Sequence, residues 1–477
     1  MIRHCIWLWC LLFTIEARSQ WFDVTSYGAI GDSTTDNTAA IQKAVDACAA
    51  KGGKVYFPAG KYLSATVYLK SNVTLYIAGG ATILGQKDTK LYPHQQAGIR
   101  FYGDEWAQQA LFFCKDQENV HIEGNGIIDG QGAAFVTNTL KKPDRYRNRP
   151  YLLWFIGCKN ISVRDITLRN SAFWMQHYLD CDDVKIQDIR IWNHSNKNND
   201  MMDIDGCRNV IISGINGDSD DDGITIKSTS PRISENITIS NCVISSHCNA
   251  LKFGTESTGG FRNIAVTNCV IRPSAQLITI YGKPAGNSGI SLEMADGGIM
   301  ENVSINNIVI DGPQVPLFIR LCNRGRKYKE GGATPAPGII RNIHLSDIHA
   351  TGADVTGCSI TGIAGTPLQA LSLSHITIET AGGGKASGQP VPELEKDYPE
   401  ATMFGVLPAY GLFIRYAKDI RLSDITFRAK EKDSRPGLVI SHTQQFACTD
   451  LDVAGISIQD SSNGFTQEKG AKKKLIE

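Results

Sequence analysis

One nine-residue pattern returns along the whole chain: Asn or Asp, an apolar residue, any residue, an apolar residue, two of any kind, then apolar, any, apolar. It reads "NISVRDITL" from Asn160, "DVKIQDIRI" from Asp183, "NITISNCVI" from Asn236, "NIAVTNCVI" from Asn263, "NVSINNIVI" from Asn302 and "DIRLSDITF" from Asp419, with variants at Asn119, Asn209, Asn342 and Ala370. The steps from Asp183 through Asn209 and Asn236 to Asn263 are 26, 27 and 27 residues. Short β-branched runs at such a period describe a solenoid of strands. Alternating Ile, Val and Thr opposes helix, because β-branched side chains lose χ1 freedom there and fit a pleated surface. The expected fold is therefore all-β, a right-handed parallel β-helix in which equivalent positions of successive coils stack about 4.8 Å apart. The recurrent Asn is then a turn residue whose amide bonds the next in a ladder.

A solenoid needs closed ends, since bare strand edges aggregate. "TTDNTAAIQKAVDACAAKGG", Thr34 to Gly53, begins with capping residues, carries apolar residues at helical spacing and stops at Gly-Gly, so it predicts a capping helix. Cysteines follow the repeat as well: Cys158, Cys181 and Cys207 stand two residues before Asn160, Asp183 and Asn209, while Cys242 and Cys269 stand six after Asn236 and Asn263. A small, readily buried side chain at a fixed repeat position predicts core packing rather than disulfides or zinc.

The N-terminus joins a short charged start to the apolar run "CIWLWCLLFTI" and an Ala17-x-Ser19 site before Gln20, the form of a signal peptide. Eleven apolar residues are too few to cross a bilayer. The expected division is a signal peptide over 1–19, a single β-helix catalytic domain over 20–465 and a charged tail over 466–477, exported to the periplasm or the extracellular space. Forty-eight basic and 48 acidic side chains cancel, which gives no electrostatic case for nucleic acid.

Acids concentrate between Asn198 and Ser228, at Asp200, Asp203, Asp205, Asp218, Asp220, Asp221 and Asp222. Aligning coils on the strand after each cluster superposes "DMMDI" from Asp200, "DGITI" from Asp222, "NALKF" from Asn249 and "QLITI" from Gln276. Asp200, Asp222, Asn249 and Gln276 are thus expected in one row, with Phe173 in the preceding coil. Neighbouring carboxylates raise one another's pKa, which a mere turn would avoid. With Asp221 beside Asp222 the patch suits glycosidic cleavage, in which one acid protonates the departing oxygen and another carboxylate activates water, with roughly 6.5–9.5 Å between them for inversion. Asp203, Asp205, Asp218 and Asp220 are expected as solvated turn residues. Calcium is the other use for such acids, but no twelve-residue loop pattern is present.

Coils that run long carry the segments "LYPHQQAGIRFYGDEWAQQ", "KKPDRYRNRPY", "CNRGRKYKEGGATPAPG" and "GGGKASGQPVPELEKDYPEATMFG", expected to wall a groove.

Three passages carry a resemblance. "FDVTSYGAIGDSTTDNTAAIQKAVDAC" with "GGKVYFPAGKY" matches the opening of many pectin-lyase-like β-helices, and "NSAFWMQHYLDCDDVKI", followed by "NND" and "DDG", resembles glycoside hydrolase family 28, the polygalacturonase and rhamnogalacturonan hydrolase family. The resemblance implies Asp221 as general acid, Asp200 and Asp222 as activators of water, inversion, and neither metal nor cofactor. It implies a pectic poly- or oligosaccharide as the partner; the charge balance predicts no nucleic acid, no apolar run is long enough for a membrane span, and a monomer is expected.

Two departures qualify it. Where polygalacturonases carry Gly-His-Gly, this chain aligns Asn249, with His247 two residues earlier; where the family's Arg-x-Lys holds a galacturonate carboxylate, "GISLEM" supplies Ser291 and Glu293. Substrate contacts are therefore expected from Asn249, His247, Lys252, Lys227, Arg320, His177 and Trp174, with Arg324 and Trp106 as further candidates. Alternative readings are a β-helix polysaccharide lyase and a non-catalytic glycan-binding β-helix.

Overall fold

The computed structural model describes residues 20–136, 144–385, 389–459 and 466–467. The expected signal peptide and all of the expected tail except 466–467 lie outside them. The strands pair in parallel into three columns that climb the chain together, a parallel β-helix. In the column carrying the repeat, Ile161 stacks on Val184, then Val210, Ile237, Ile264, Val303, Ile343, Leu371 and Ile420. All nine are buried. Each is the first apolar residue of the nine-residue pattern, so period-two alternation places it inside and its neighbour outside.

The residue before each of them turns the corner. Asn160, Asp183, Asn209, Asn236, Asn263, Asn302, Asn342, Ala370 and Asp419 all have φ between 53° and 58°. Asn and Asp enter this left-handed region at least cost among residues with a side chain. The amides also bridge coils: Asn209 donates to Asp183 (3.0 Å), Asn236 to Asn209 (3.2 Å), Asn263 to Asn236 (3.1 Å) and Asn302 to Asn263 (3.0 Å). Backbone strain and hydrogen bonding thus select the same residue type.

Helix α1, Thr38–Ala49, is the one α-helix among the described residues, and it buries Ile41, Ala44, Val45 and Cys48 on a single face. It starts later than Thr34 because Asp32–Asp36 pairs as a strand with Gly60–Ser64. Asp36 Oδ1 accepts the Thr38 N–H (3.0 Å), while Asn37 turns back to clasp the Ile30 backbone (2.6 and 3.0 Å). No helix among the described residues is long and apolar enough to cross a membrane. The eleven described cysteines are free and buried. Cys158 Sγ lies 3.6 Å from Cys114 Sγ, a stacking contact rather than a bond of about 2.0 Å.

The column that positions the acids contains β1 (Gln176–Leu179), β2 (Met202–Asp205), β3 (Ile224–Ser228), β4 (Asn249–Ser257), β5 (Ser288–Met294) and β6 (Val315–Leu321). Met202 pairs with Ile224, Ile224 with Leu251, Leu251 with Ile290 and Ile290 with Leu317, all inward. That register aligns Asp200 with Asp222 and Asp222 with Asn249, as coil counting expects. Two members of the expected row are corrected. Asn249 pairs with Ser288, not Gln276, because this coil carries twelve extra residues and "QLITI" lies in the excursion. Carrying the His177–Asp203 pairing back three residues sets Trp174, not Phe173, against Asp200.

Candidate active site

Two turns bring the acids to the mouth of this column. In the first, Asn199 Oδ1 accepts the N–H groups of Ser195 (2.8 Å) and Asn196 (2.6 Å), and its amide donates to the carbonyls of Ser171 (2.9 Å) and Phe173 (3.1 Å). Asn193 holds the Asp200 carbonyl (2.9 Å). In the second, Ser219 Oγ donates to the carbonyls of Asp221 (3.0 Å) and Asp222 (3.2 Å). One carboxylate oxygen from each of Asp200, Asp221 and Asp222 lies within 4.8 Å of the other two. That is tighter than the roughly 6.5–9.5 Å of an ordinary inverting pair.

The three acids have unequal surroundings. Asp222 accepts from Asn249 Nδ2 (2.7 Å) on one oxygen and from Lys252 Nζ (2.9 Å) on the other, which fixes it as a carboxylate acceptor. Among the described residues Asp221 takes only the N–H of Asp222 (3.0 Å) and a long bond from Asn198 (3.4 Å). Burial, then the charge of Asp222, push its pKa up to about 7. Asp200 is buried, its Oδ1 without a hydrogen-bond partner among the described residues, and burial with the charges of Asp203 and Asp221 raises it well above the carboxylate range. A hard cation could be held by three such oxygens, but the Lys252 ammonium already stands on Asp222.

The cleft above encloses about 520 Å³. Each of the four long-coil segments reaches it: the first with Phe101, Tyr102 and Trp106, the second with Tyr146 and Tyr151, the third with Arg324 and Arg326, the fourth with Tyr398 and Glu400. Trp106 and Tyr146 stack across two segments with ring centroids 4.8 Å apart. Lys227 stands 4.8 Å over the Trp174 ring, 3.4 Å from Glu256 and 3.5 Å from Asp203. Burial lowers the Lys227 pKa, but Glu256 and the nearby aspartates outweigh it and hold the ammonium charged. Arg326 packs 3.9 Å over Tyr102 and joins Arg324 on Asp296.

Of the substrate contacts expected from sequence, Lys227, Trp174, Trp106 and Arg324 line the cleft, and five others do not. Asn249 and Lys252 are engaged with Asp222. His177 is buried among Tyr151, Trp154 and Phe101, with Nε2 3.2 Å from Asp205. Arg320 is buried, donating to the carbonyls of Gly362 (2.9 Å) and Glu393 (2.6 Å), where it staples the fourth segment to the coil. His247 lies behind the turn, 2.9 Å from Asp220. Asp203, Asp205, Asp218 and Asp220 are not solvated turn residues; all four are buried. Ser291 and Glu293 are buried too, Ser291 Oγ donating to Glu293 (2.6 Å), whose pKa burial raises to about 8.

Coil counting missed Tyr102, Glu256, Tyr281, Arg326, Tyr398 and Glu400. Tyr102, Arg326, Tyr398 and Glu400 lie in segments that the long intervals mark, but loop geometry decides which side chain turns inward. Tyr281 lies in the excursion misread as a strand.

A parallel β-helix with clustered carboxylates in unequal surroundings on the floor of an aromatic cleft holds the groups that acid–base cleavage of a glycosidic bond requires. Sequence comparison gives the family. Residues 54–396 match glycosyl hydrolases family 28, and the chain belongs to that family. It is 25% identical over 347 residues to an exo-poly-α-D-galacturonosidase of Dickeya chrysanthemi, covering 62% of this chain and 56% of that protein. A probable polygalacturonase of Vitis vinifera is 28% identical over 279 residues, covering 54% and 56%. The chain thus spans about half the length of these relatives. Among solved structures, a hyperthermoactive exopolygalacturonase of Thermotoga maritima superposes with a TM-score of 0.66 at 20% identity, over 86% of this chain and 92% of that one. A family 28 exopolygalacturonase of Yersinia enterocolitica gives 0.66 at 18%, over 94% and 79%. These two likenesses concern the fold.

Proposed function

We propose that this protein is an exported hydrolase that cleaves a glycosidic bond in a galacturonate-containing pectic poly- or oligosaccharide by direct attack of water. Asp221 is the general acid, Asp222 takes the proton of the attacking water, and Asp200 orients that water. One contrast supports these roles most: burial and the charge of Asp222 push the Asp221 pKa up to about 7, while Asp222 itself accepts from Asn249 and Lys252. Asp221 therefore has a proton to give to the leaving oxygen, and Asp200 Oδ1, without a protein donor, has an acceptor site to offer the water.

The Lys252 ammonium supplies the charge compensation on Asp222 that a metal would otherwise bring, so bond cleavage proceeds without one. Lys227, Arg324 and Arg326 hold the uronate carboxylates in place of an Arg-x-Lys pair, and Trp174 and Trp106 offer faces to the sugar rings. Four segments crowding one cleft favour action at a chain end, in keeping with the exo-poly-α-D-galacturonosidase of Dickeya. Export rests on the form of residues 1–19.

Inversion is inferred from the family likeness, because the close carboxylates alone do not select it. The test incubates wild type and Asp221→Asn with a panel of pectic oligosaccharides and follows products by NMR. New reducing ends with inverted anomeric configuration, released as monosaccharide by wild type only, are the expected result. Ultraviolet absorbance from an unsaturated product would establish a lyase instead. Retained configuration would overturn the water-attack mechanism.

A further inference from the structure

A second cluster stands beside the carboxylate trio and takes no part in the proposed hydrolysis. His194 donates from Nε2 to Asp218 Oδ1 (2.9 Å), and His247 donates from Nε2 to the Gln276 carbonyl (2.8 Å). Both rings therefore turn Nδ1 toward the same atom: Asp220 Oδ1 lies 2.9 Å from His247 Nδ1 and 4.0 Å from His194 Nδ1. Ligand atoms of the three residues lie within 4.8 Å of one another. The His194 side chain is 2% exposed, and its Nδ1 has no hydrogen-bond partner among the described residues.

Imidazoles that bind a metal are oriented in this way, with the outer N–H tied to a carboxylate or carbonyl and the inner nitrogen left to the ion. Asp220 is the anionic member. Its Oδ1 accepts the N–H of Ile280 (2.9 Å) and its Oδ2 that of Tyr281 (3.1 Å), which fixes the carboxylate in place. Two imidazole nitrogens and one carboxylate form a borderline donor set, suited to zinc-class ions rather than to calcium or magnesium. In a tetrahedral site with ligands about 2.0–2.2 Å from the ion, donor atoms stand roughly 3.3 Å apart. The ion displaces to solvent the proton shared by His247 Nδ1 and Asp220 Oδ1, so that contact opens slightly and the longer one closes.

We propose that His194, Asp220 and His247 form a binding site for one divalent transition-metal ion, separate from the hydrolytic carboxylates. The ion joins two parts of the chain that otherwise meet through hydrogen bonds. Asp220 holds the backbone of Ile280 (2.9 Å) and Tyr281 (3.1 Å), and His247 holds that of Gln276, so the site pins the excursion that carries Tyr281 into the cleft. Its role is to stiffen this wall and the turn next to Asp221.

The test uses chelator-treated mature protein, with Zn²⁺ followed by calorimetry and Co²⁺ by visible absorption. Wild type is expected to take up one ion per chain with a tetrahedral cobalt spectrum and a rise in Tm. His194→Gln, which keeps a polar contact to Asp218, loses affinity roughly ten-fold or more. Asp221→Asn binds as wild type does, and excess Ca²⁺ does not displace the ion. Absence of stoichiometric uptake by wild type overturns the proposal without recourse to a variant. So does a site kept in His194→Gln but lost in Asp221→Asn, which would assign the ion to the carboxylate trio.

Discussion

Asp218 and Asp220 on one side, and Asp200, Asp203 and Asp221 on the other, come from one short stretch of sequence and arrive at opposite electrostatic states. Burial penalises the charge of all five. Asp218 nevertheless stays below the usual carboxylate range, because His194, Ser274 Oγ (2.7 Å) and the Ala275 N–H (2.8 Å) surround it, and Asp220 does so through its two histidines and two backbone donors. Among the described residues Asp203 has no hydrogen-bond donor on either oxygen and Asp200 has none on Oδ1; both are pushed up. Donor supply, more than depth, separates a structural anion from a proton-carrying acid.

The comparison breaks most visibly in activity. Asp221→Asn should lower kcat by about 10²–10⁴-fold with substrate binding retained, read by steady-state kinetics and by calorimetry on an oligosaccharide. Asp220→Asn should instead cost about 2–4 kcal/mol of stability in denaturant unfolding, because two histidines lose their anion. Asp221→Asn, by contrast, should raise Tm by roughly 2–4 °C at pH 8. The sign follows from linkage: a carboxyl raised from 3.8 to about 7 binds more protons folded than unfolded, so its contribution to stability is lost as pH rises through 7. Below about pH 4 both states are protonated and the gain should vanish.

In wild type the same group should place the alkaline limb of kcat/KM near pH 7. Lys252→Met should move that limb to higher pH, since the ammonium favours the ionised form of Asp221. The smallest effect belongs to the ladder, where Asn263→Ala should cost about 1–2 kcal/mol through the left-handed corner and two lost rungs.

What sequence made legible is what the period encodes. Nine recurrent positions locate the buried column from Ile161 to Ile420, equal counting sets Asp222 beside Asn249, and allowing four extra residues in the preceding coil adds Asp200 to the row. The failure at Gln276 has a readable cause: the interval from Asn263 to Asn302 is twelve residues longer than the preceding one, and shifting Gln276 by twelve reaches Ser288. Burial of the outward charges was not legible. Asp203, Glu293, Lys252 and Arg320 point away from the coil core, where alternation predicts water, yet inserted segments cover them. Inserted segments have no period, so Tyr398 on Lys252 (3.1 Å) and Arg326 on Glu256 (2.7 Å) follow from no count along the chain.

The rung from Asn302 to Asn263 closes at 3.0 Å over 39 residues, and the rung from Asn263 to Asn236 closes at 3.1 Å over 27. Extra polypeptide leaves the spiral and rejoins it at the same corner without altering the spacing of the turns. Scaffold and specificity are therefore separable in this architecture: lengthening or exchanging an excursion reshapes what enters the trench while the asparagine spine keeps the reacting carboxylates in place.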